Sequence, residues 1–129
     1  MKDSDIILTG LPKITNVHFD LNKDYDFKNT KEYDLGLNVN TKINEMTEEA
    51  LYEVVLIMKT TSEEEIEPFN LSATISGIFK IENNMEEMLE VLKVNGPAIL
   101  TSYLRPYISN ITLAAGIEPV TIPILNFNK

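Results

Sequence analysis

Cysteine is absent from the 129-residue chain, and histidine occurs once, as His18. Without cysteine there are no disulfides, no thiol catalysis and no zinc–thiolate sites. A single histidine argues against a histidine-rich metal site and against a Ser–His relay. No apolar run reaches the ~20 residues that a membrane span needs, and the N-terminus lacks the apolar core and cleavage site of a signal peptide. These absences predict a cytoplasmic protein with no membrane insertion, no metal and no cofactor.

Positive charge is also scarce, because 11 Lys and Arg residues stand against 20 Asp and Glu residues and give a net charge of -9. Such a chain is a poor candidate for binding the phosphate backbone of nucleic acids. Its length fits one domain, and a 43% hydrophobic content is too high for a disordered chain. We expect a single domain over residues 1–129, with residues 1–12 flexible.

Alternation of polar and apolar residues predicts four β-strands in the first two thirds of the chain. The first strand places Val17 and Phe19 on one face and Ile14 on the other. The third is apolar on both faces at its start, which predicts a central strand. Gly77 is expected to mark a bulge or bend in the fourth. Consecutive strands with short connections favour an antiparallel sheet. The strands are predicted at residues 13–21, 32–41, 51–61 and 67–81.

The last third of the chain changes to helical spacing. Asn83 or Asn84 can cap a first helix, and Asn95-Gly96-Pro97 is expected to end it and to begin a second. Pro106 should kink the second helix, and Gly116 should terminate it. Residues 117–127 are expected to be extended and are unusually apolar for a terminal segment. The chain is therefore predicted to be α+β.

No residue pattern in the chain argues for an enzyme. The acidic groups at Glu48-Glu49 and Glu63-Glu64-Glu65 lack the spacing of a calcium loop and are best explained as solvated segments. His18 has no partner His or Cys anywhere in the chain. Neither a phosphate-binding loop nor a Gly-x-Ser-x-Gly nucleophile elbow occurs.

Apolar surface is what remains to be explained. The second strand and the tail together carry more apolar side chains than a monomer of this size readily hides. Such a surplus is typical of an interface or a peptide groove, although ordinary core residues would give the same pattern. The residues concerned are Tyr33, Leu35, Leu37, Val39, Val120, Ile122, Ile124 and Phe127.

Four stretches, in order and in spacing, resemble the SecB family of bacterial protein-export chaperones. They are Tyr52-Glu53-Val54-Val55-Leu56, Ser76-Gly77-Ile78-Phe79-Lys80-Ile81, Gly96-Pro97-Ala98-Ile99-Leu100 followed by Tyr103 and Arg105, and Pro119-Val120-Thr121-Ile122-Pro123-Ile124-Leu125-Asn126-Phe127. The resemblance implies a four-stranded antiparallel Greek-key sheet with helices packed on one face. It also implies a homotetramer built as a dimer of dimers, which holds unfolded polypeptides without nucleotide and without catalysis.

The resemblance also implies which residues do the work. Clients would bind a groove formed by the second strand and the crossover segment, and the long helix would supply the oligomer contact. The client-binding residues would be Tyr33, Leu35, Leu37, Val120, Ile122, Ile124 and Phe127. The oligomer contact would include Ile99, Tyr103 and Tyr107.

The chain departs from the family pattern in two places. The printed sequence ends at Lys129, without the last helix and the acidic zinc-binding tail that the family presents to the translocase motor SecA. On the sheet face that docks on SecA, Asp20 matches one of the family's acids, whereas Asn16, Asn70 and Ser72 stand where other family side chains would be. Holding of clients is therefore expected to carry over better than coupling to export. The alternatives are a chaperone dedicated to an antitoxin and an adaptor for a single partner.

Overall fold

The structure, a computed structural model, describes residues 5–28, 36–62 and 66–118. These residues contain five strands and one long helix. The strands and the helix follow one another in the order β1 (Ile6–Leu8), β2 (Lys13–Leu21), β3 (Gly36–Glu45), β4 (Leu51–Thr61), β5 (Phe69–Ile81) and α1 (Met85–Ala114).

All five strands form one antiparallel sheet with α1 on one face. β3, β4 and β5 are neighbours in that order, and β2 and β1 pair one after the other along the far edge of β5. Because β2 lies beside β5 rather than beside β3, the long strands have Greek-key order. The α+β antiparallel fold is confirmed. The sheet has five strands rather than four, because the short β1 pairs Ile6 with Ile81 and Leu8 with Phe79.

A β-bulge in β2 changes which side chains face the core. The pairing with β5 shifts between Ile14 and Asn16, so that Thr15 is an extra residue. Ile14 pairs with the buried Ile75 and Phe19 pairs with the buried Leu71. Ile14 therefore lies on the core face with Phe19, and the prediction that it lies on the opposite face is wrong. Simple alternation cannot anticipate an inserted residue.

The predicted bounds of two strands, 13–21 and 51–61, are confirmed. β5 begins at Phe69, two residues later than predicted. β3 is described from Gly36 and continues to Glu45, four residues past the predicted end, because Ile43 extends the half-buried face of Leu37 and Val39.

Gly77 lies opposite Val54 in an unbroken register with β4, so it marks no bulge in that pairing. A Cβ added there would lie 2.9 Å from Leu100 Cδ2. Gly96 precedes Leu100 by one turn on the helix α1 (Met85–Ala114), and a Cβ added at Gly96 would lie 3.1 Å from Val54 Cγ2. The two glycines therefore let α1 and the sheet approach closely.

One helix of 30 residues replaces the two helices that the sequence predicted. Gly96 and Pro97 are both buried inside it, so packing on the sheet offsets the backbone bond that a proline removes. The Thr101 hydroxyl donates to the Pro97 carbonyl at 2.8 Å. The buried side of α1 consists of Met88, Leu92, Gly96, Pro97, Leu100, Thr101, Leu104, Ile108 and Thr112.

The ends of α1 differ in how they satisfy the backbone. Asn84 occupies the N-cap position at φ 55°, but its side chain makes no capping hydrogen bond. At the other end Gly116 has φ 91°, and the Gly116 and Ile117 amides donate to the Leu113 and Thr112 carbonyls. This is a Schellman motif, so the predicted stop at Gly116 is confirmed.

We predict that Gly77→Ala lowers the free energy of unfolding by about 1–3 kcal/mol, because the fully buried Leu100 has little room to move away from the new methyl group. Urea denaturation measures the change. Adding Leu100→Val removes the clashing methyl, so the double variant should lose less stability than the sum of the two single variants. Additive losses would show that the two side chains do not meet.

Candidate functional site

A single helix is too narrow to cover the inner face of this sheet. A helix with its side chains is roughly 10–12 Å across, whereas four strands spaced about 4.8 Å apart form a surface roughly 15–20 Å wide. α1 packs over β4 and β5, whose inward side chains are buried. The inward side chains of the flanking strands stay only half-buried, such as Leu37, Val39 and Ile43 on β3. Apolar surface therefore remains beside the helix.

A hollow of this kind lies between β3, the start of β4 and the first turns of α1, and we call it the β3 groove. Its volume is about 880 Å³. The apolar part of its lining is Ile43, Tyr52 and Leu89. The Tyr52 hydroxyl donates to Met85 Sδ at 3.2 Å, which holds the ring against the helix while its body lines the groove. The complete lining is Ile43, Glu45, Tyr52, Glu86, Glu87, Leu89, Glu90 and Lys93.

The rim of the β3 groove is acidic. Four carboxylates and one ammonium group line it, and the ammonium of Lys93 lies 3.0 Å from the Glu90 carboxylate. All five charged side chains are exposed. The potential at the mouth is therefore negative, and an apolar segment that also carries positive charge would meet favourable electrostatics on entering.

Only one residue of the predicted client surface lies among those described. Leu37 lies on the inner face of β3, half-buried, on the same face as Ile43 of the groove. The other predicted residues, Tyr33, Leu35, Val120, Ile122, Ile124 and Phe127, lie outside the described residues.

The sequence pattern alone did not identify Ile43 and Leu89 as groove residues. Ile43 continues the alternation that begins at Leu37, and extending that pattern by four residues would have found it. Leu89 has the helical spacing of core residues and packs against the core, and only the position of α1 on the sheet shows that it also lines the groove.

The predicted oligomer residues Ile99, Tyr103 and Tyr107 lie on successive turns of one side of α1. Tyr103 is 44% exposed and Tyr107 is 37% exposed, whereas Ile99 is half-buried. Ile99 also borders a hollow of about 360 Å³ that it shares with Ile6 of β1. We call this side of α1 the helix surface. Two large aromatic rings in water offer contact area to another apolar surface.

Asp20 lies on the outer face of the sheet, which is the face away from α1. Its Oδ2 is 2.7 Å from Nε2 of His18, and both side chains are exposed. On the neighbouring strand β5, Asn70 lies opposite Asp20 and Ser72 lies opposite His18. The surroundings of Asp20 are thus amide and hydroxyl groups rather than further carboxylates.

Within residues 5–28, 36–62 and 66–118, no group of three or more His, Asp or Glu side chains is placed to hold a metal ion. No helix in those ranges is long and apolar enough to cross a membrane. Glu48 and Glu49 are exposed between β3 and β4. The acidic run at residues 63–65 lies outside the described ranges.

We predict that Ile43→Ser combined with Leu89→Ser reduces the fluorescence of the apolar dye bis-ANS bound to the folded protein, because both changes make the lining of the β3 groove polar. Leu113 and Ile66 are 59% and 54% exposed and lie away from the groove. The matched pair Leu113→Ser and Ile66→Ser should leave more of the dye signal intact. Equal losses in both pairs would contradict an accessible groove.

Comparison with known proteins gives consistent results for sequence and fold. A family model described as "Preprotein translocase subunit SecB" matches residues 16–129. The protein-export protein SecB of Rickettsia akari is 32% identical over 98 residues, which are 74% of this chain and 63% of that protein. An uncharacterized protein of Methanocaldococcus jannaschii is 32% identical over 96 residues, which are 71% of this chain and 62% of that protein. The chain thus spans less than two thirds of the length of these relatives.

Among solved structures, the fold is similar to a SecB-like chaperone of Mycobacterium tuberculosis in complex with a ChAD peptide from the HigA1 antitoxin. The TM-score is 0.76 at 12% identity, over 95% of this chain and 92% of that one. At this identity the likeness concerns the fold alone, and it agrees with the antiparallel sheet and its single long helix. The match of the family model over most of the sequence confirms the resemblance, and the chain belongs to the SecB family of chaperones.

Proposed function

We propose that this protein is an ATP-independent holdase, which binds non-native polypeptide segments and releases them without chemistry. The observation that supports this most directly is the β3 groove, because it has an apolar lining, a volume of about 880 Å³ and an open position beside a half-buried strand. A cavity of this size accommodates several side chains of an extended segment. A folded protein hides such segments and offers the groove nothing to bind.

The edge of β3 provides a second element of client binding. Among the described strands, β3 pairs with β4 alone, so its other edge has backbone donors and acceptors without a neighbouring strand there. An extended client can add its own backbone to such an edge while its alternate side chains enter the groove. Backbone pairing is independent of sequence, which suits a chaperone with many clients.

The energetics of this arrangement favour weak binding at one site and strong binding at several. Apolar burial contributes about 25 cal/mol per Å², but ordering a flexible client offsets much of that gain. Several grooves on one oligomer would act on the same chain and multiply the apparent affinity. We therefore propose a homo-oligomer, a dimer of dimers, whose subunits meet through the helix surface at Ile99, Tyr103 and Tyr107.

The client surface would extend beyond the described groove. Leu37 continues the inner face of β3 toward the predicted residues Tyr33 and Leu35. The predicted crossover residues would add to the same surface, and these are Val120, Ile122, Ile124 and Phe127.

Unfolded clients of protein export, handled in the cytoplasm, are the proposed substrates, because the relatives with assigned names are protein-export proteins. The solved chaperone of similar fold carries a peptide from an antitoxin, which supports dedication to an antitoxin as the second candidate. Docking of SecA through Asp20 stays a prediction from sequence. The range of clients discriminates between these functions, since a general holdase slows aggregation of several unrelated proteins and a dedicated one protects a single partner.

Leu35→Ser combined with Ile122→Ser is expected to abolish suppression of aggregation, because both changes place hydroxyls where clients would bury apolar side chains. Light scattering of a chemically unfolded test protein measures suppression, and static light scattering confirms that the oligomer is retained. Leu21→Ser with Ile66→Ser is the matched control, at two exposed apolar positions away from the groove. Full activity of the first variant would rule out this client surface.

Tyr103→Ala combined with Tyr107→Ala is expected to shift the oligomer toward smaller species, since it removes two exposed aromatic rings from the helix surface. Size-exclusion chromatography with light scattering measures the mass across a dilution series. Ile66→Ala, at an exposed site between β4 and β5, should leave the mass unchanged. An unchanged mass in the double tyrosine variant would place the subunit contact elsewhere.

A further inference from the structure

The outer face of the sheet, on the side away from α1, has a composition unlike the rest of the protein. The strand register arranges its side chains in rows, because residues paired across neighbouring strands project from the same face. One row runs Lys42, Val55, Ser76 and Lys13, and the next begins with Asn40 and Ile57. We call these rows the outer sheet face.

The charge of the outer sheet face is opposite in sign to that of the chain. It carries four exposed lysines, which are Lys13, Lys42, Lys59 and Lys80. Its carboxylates in the described strands are Glu53 and Asp20. Glu53 accepts hydrogen bonds from Asn44 Nδ2 at 3.1 Å and from Ser76 Oγ at 2.9 Å, and Asp20 contacts His18. A chain of net charge -9 thus presents a positive surface here.

Apolar side chains lie between the lysines. Ile57 is 42% exposed and Ile7 is 41% exposed. Val55 and Ile78 are half-buried on the same face, although no element of the described structure covers them from outside. Lys80 pairs with Leu51 on one side and with Ile7 on the other, so a cation stands between two apolar side chains.

A hollow gives this face a shape into which a partner could fit. The connection from β1 to β2 runs along the edge of β5 beside Gly77 and Ile78, and the hollow that it borders has a volume of about 380 Å³. Leu11 at its edge is 74% exposed. The lining combines apolar and charged groups, namely Thr9, Gly10, Leu11, Lys13, Thr15, Glu53, Ser76, Gly77 and Ile78.

We propose that the outer sheet face is a docking surface for an acidic protein segment that also carries apolar side chains. Its carboxylates would meet the four lysines, and its apolar side chains would cover Ile57 and enter the hollow beside Ile78. Like-charge repulsion would discriminate against basic partners on this face. The negative rim of the β3 groove has the opposite preference, so the two faces of one sheet sort partners by charge.

A protein partner fits this surface better than a nucleic acid does. Surfaces that bind single strands combine positive charge with aromatic rings on which bases stack. The outward positions of the described strands carry no Phe, Tyr or Trp. Each Lys on these positions has an aliphatic side chain in its own row of paired residues or in the adjacent row. Aliphatic side chains beside ammonium groups instead match a segment that mixes Leu or Val with Glu or Asp.

The probe for the test is a fluorescein-labelled 18-residue peptide with Leu at helical i, i+3 and i+4 spacing and Glu elsewhere. A twin peptide carries Lys in place of Glu. Fluorescence anisotropy should show binding of the Glu peptide, and added salt should weaken it. Lys42→Glu combined with Lys59→Glu should weaken it roughly tenfold, because two attractive contacts become repulsive.

The matched control is Lys23→Glu combined with Lys28→Glu, two exposed lysines between β2 and β3 that lie off the outer sheet face. Both double variants change the net charge equally, so a specific site predicts loss in the first and near-normal binding in the second. Lys42→Gln with Lys59→Gln is a milder second variant, and circular dichroism checks that each variant is folded.

Several results would overturn the proposal. Equal losses in both double variants would mean that net charge alone attracts the peptide, and equal binding of the Lys twin would mean that charge plays no part. Displacement by polyuridylate would assign the face to nucleic acid. A concentration-dependent mass that the Lys42→Glu and Lys59→Glu changes abolish would assign it to a second copy. Displacement by an unfolded client, with no effect of the lysine changes, would mean that the peptide had bound as a client in the β3 groove.

Discussion

The close approach of α1 to the centre of the sheet is the constraint on which the β3 groove depends. Gly77 and Gly96 leave no Cβ between the two layers, so Leu100 and Val54 can pack into the space. The helix is thereby fixed over β4 and β5, where it forms the core with strands that are buried on their inner face. Because one helix has this width and this position, the inner face of β3 is only partly covered, and the groove beside it follows.

Sequence patterns predicted the strands better than the helices. β2 and β4 have the predicted bounds because the alternation of side chains is visible within a few neighbouring residues and a polar segment follows each strand. The division of the helix at Gly96 and Pro97 failed because both residues usually end helices. Here the missing side chain of Gly96 is what permits contact with Val54, and this tertiary gain overrides the local preference. The prediction of which sheet face Ile14 occupies failed for a related reason, because the bulge in β2 arises from its pairing with β5.

The candidate site was predictable in kind but only partly in position. An excess of apolar residues along β3 indicated a binding surface, and Leu37 does lie on the half-buried inner face. Ile43 continues that face, and Leu89 joins it from a different element, 46 positions further along the chain. No local pattern relates two such residues, because their proximity is created by the placement of α1. The acidic rim arises in the same way, from Glu45 on a strand and Glu86, Glu87 and Glu90 on the helix.

The net charge of the chain does not indicate the sign of the charge on the outer sheet face. Alternation along a strand places charged side chains on one face and apolar side chains on the other. On β3 the outward Lys42 adjoins the inward Ile43, and on β4 the outward Lys59 adjoins the inward Met58. A shift of register by one residue would bury the ammonium groups and expose the core. The register that buries the core therefore also keeps these lysine positions on the outer face. The fold can keep a negative groove and a positive face on two sides of one layer because the cost of exchanging them is the cost of unfolding the sheet.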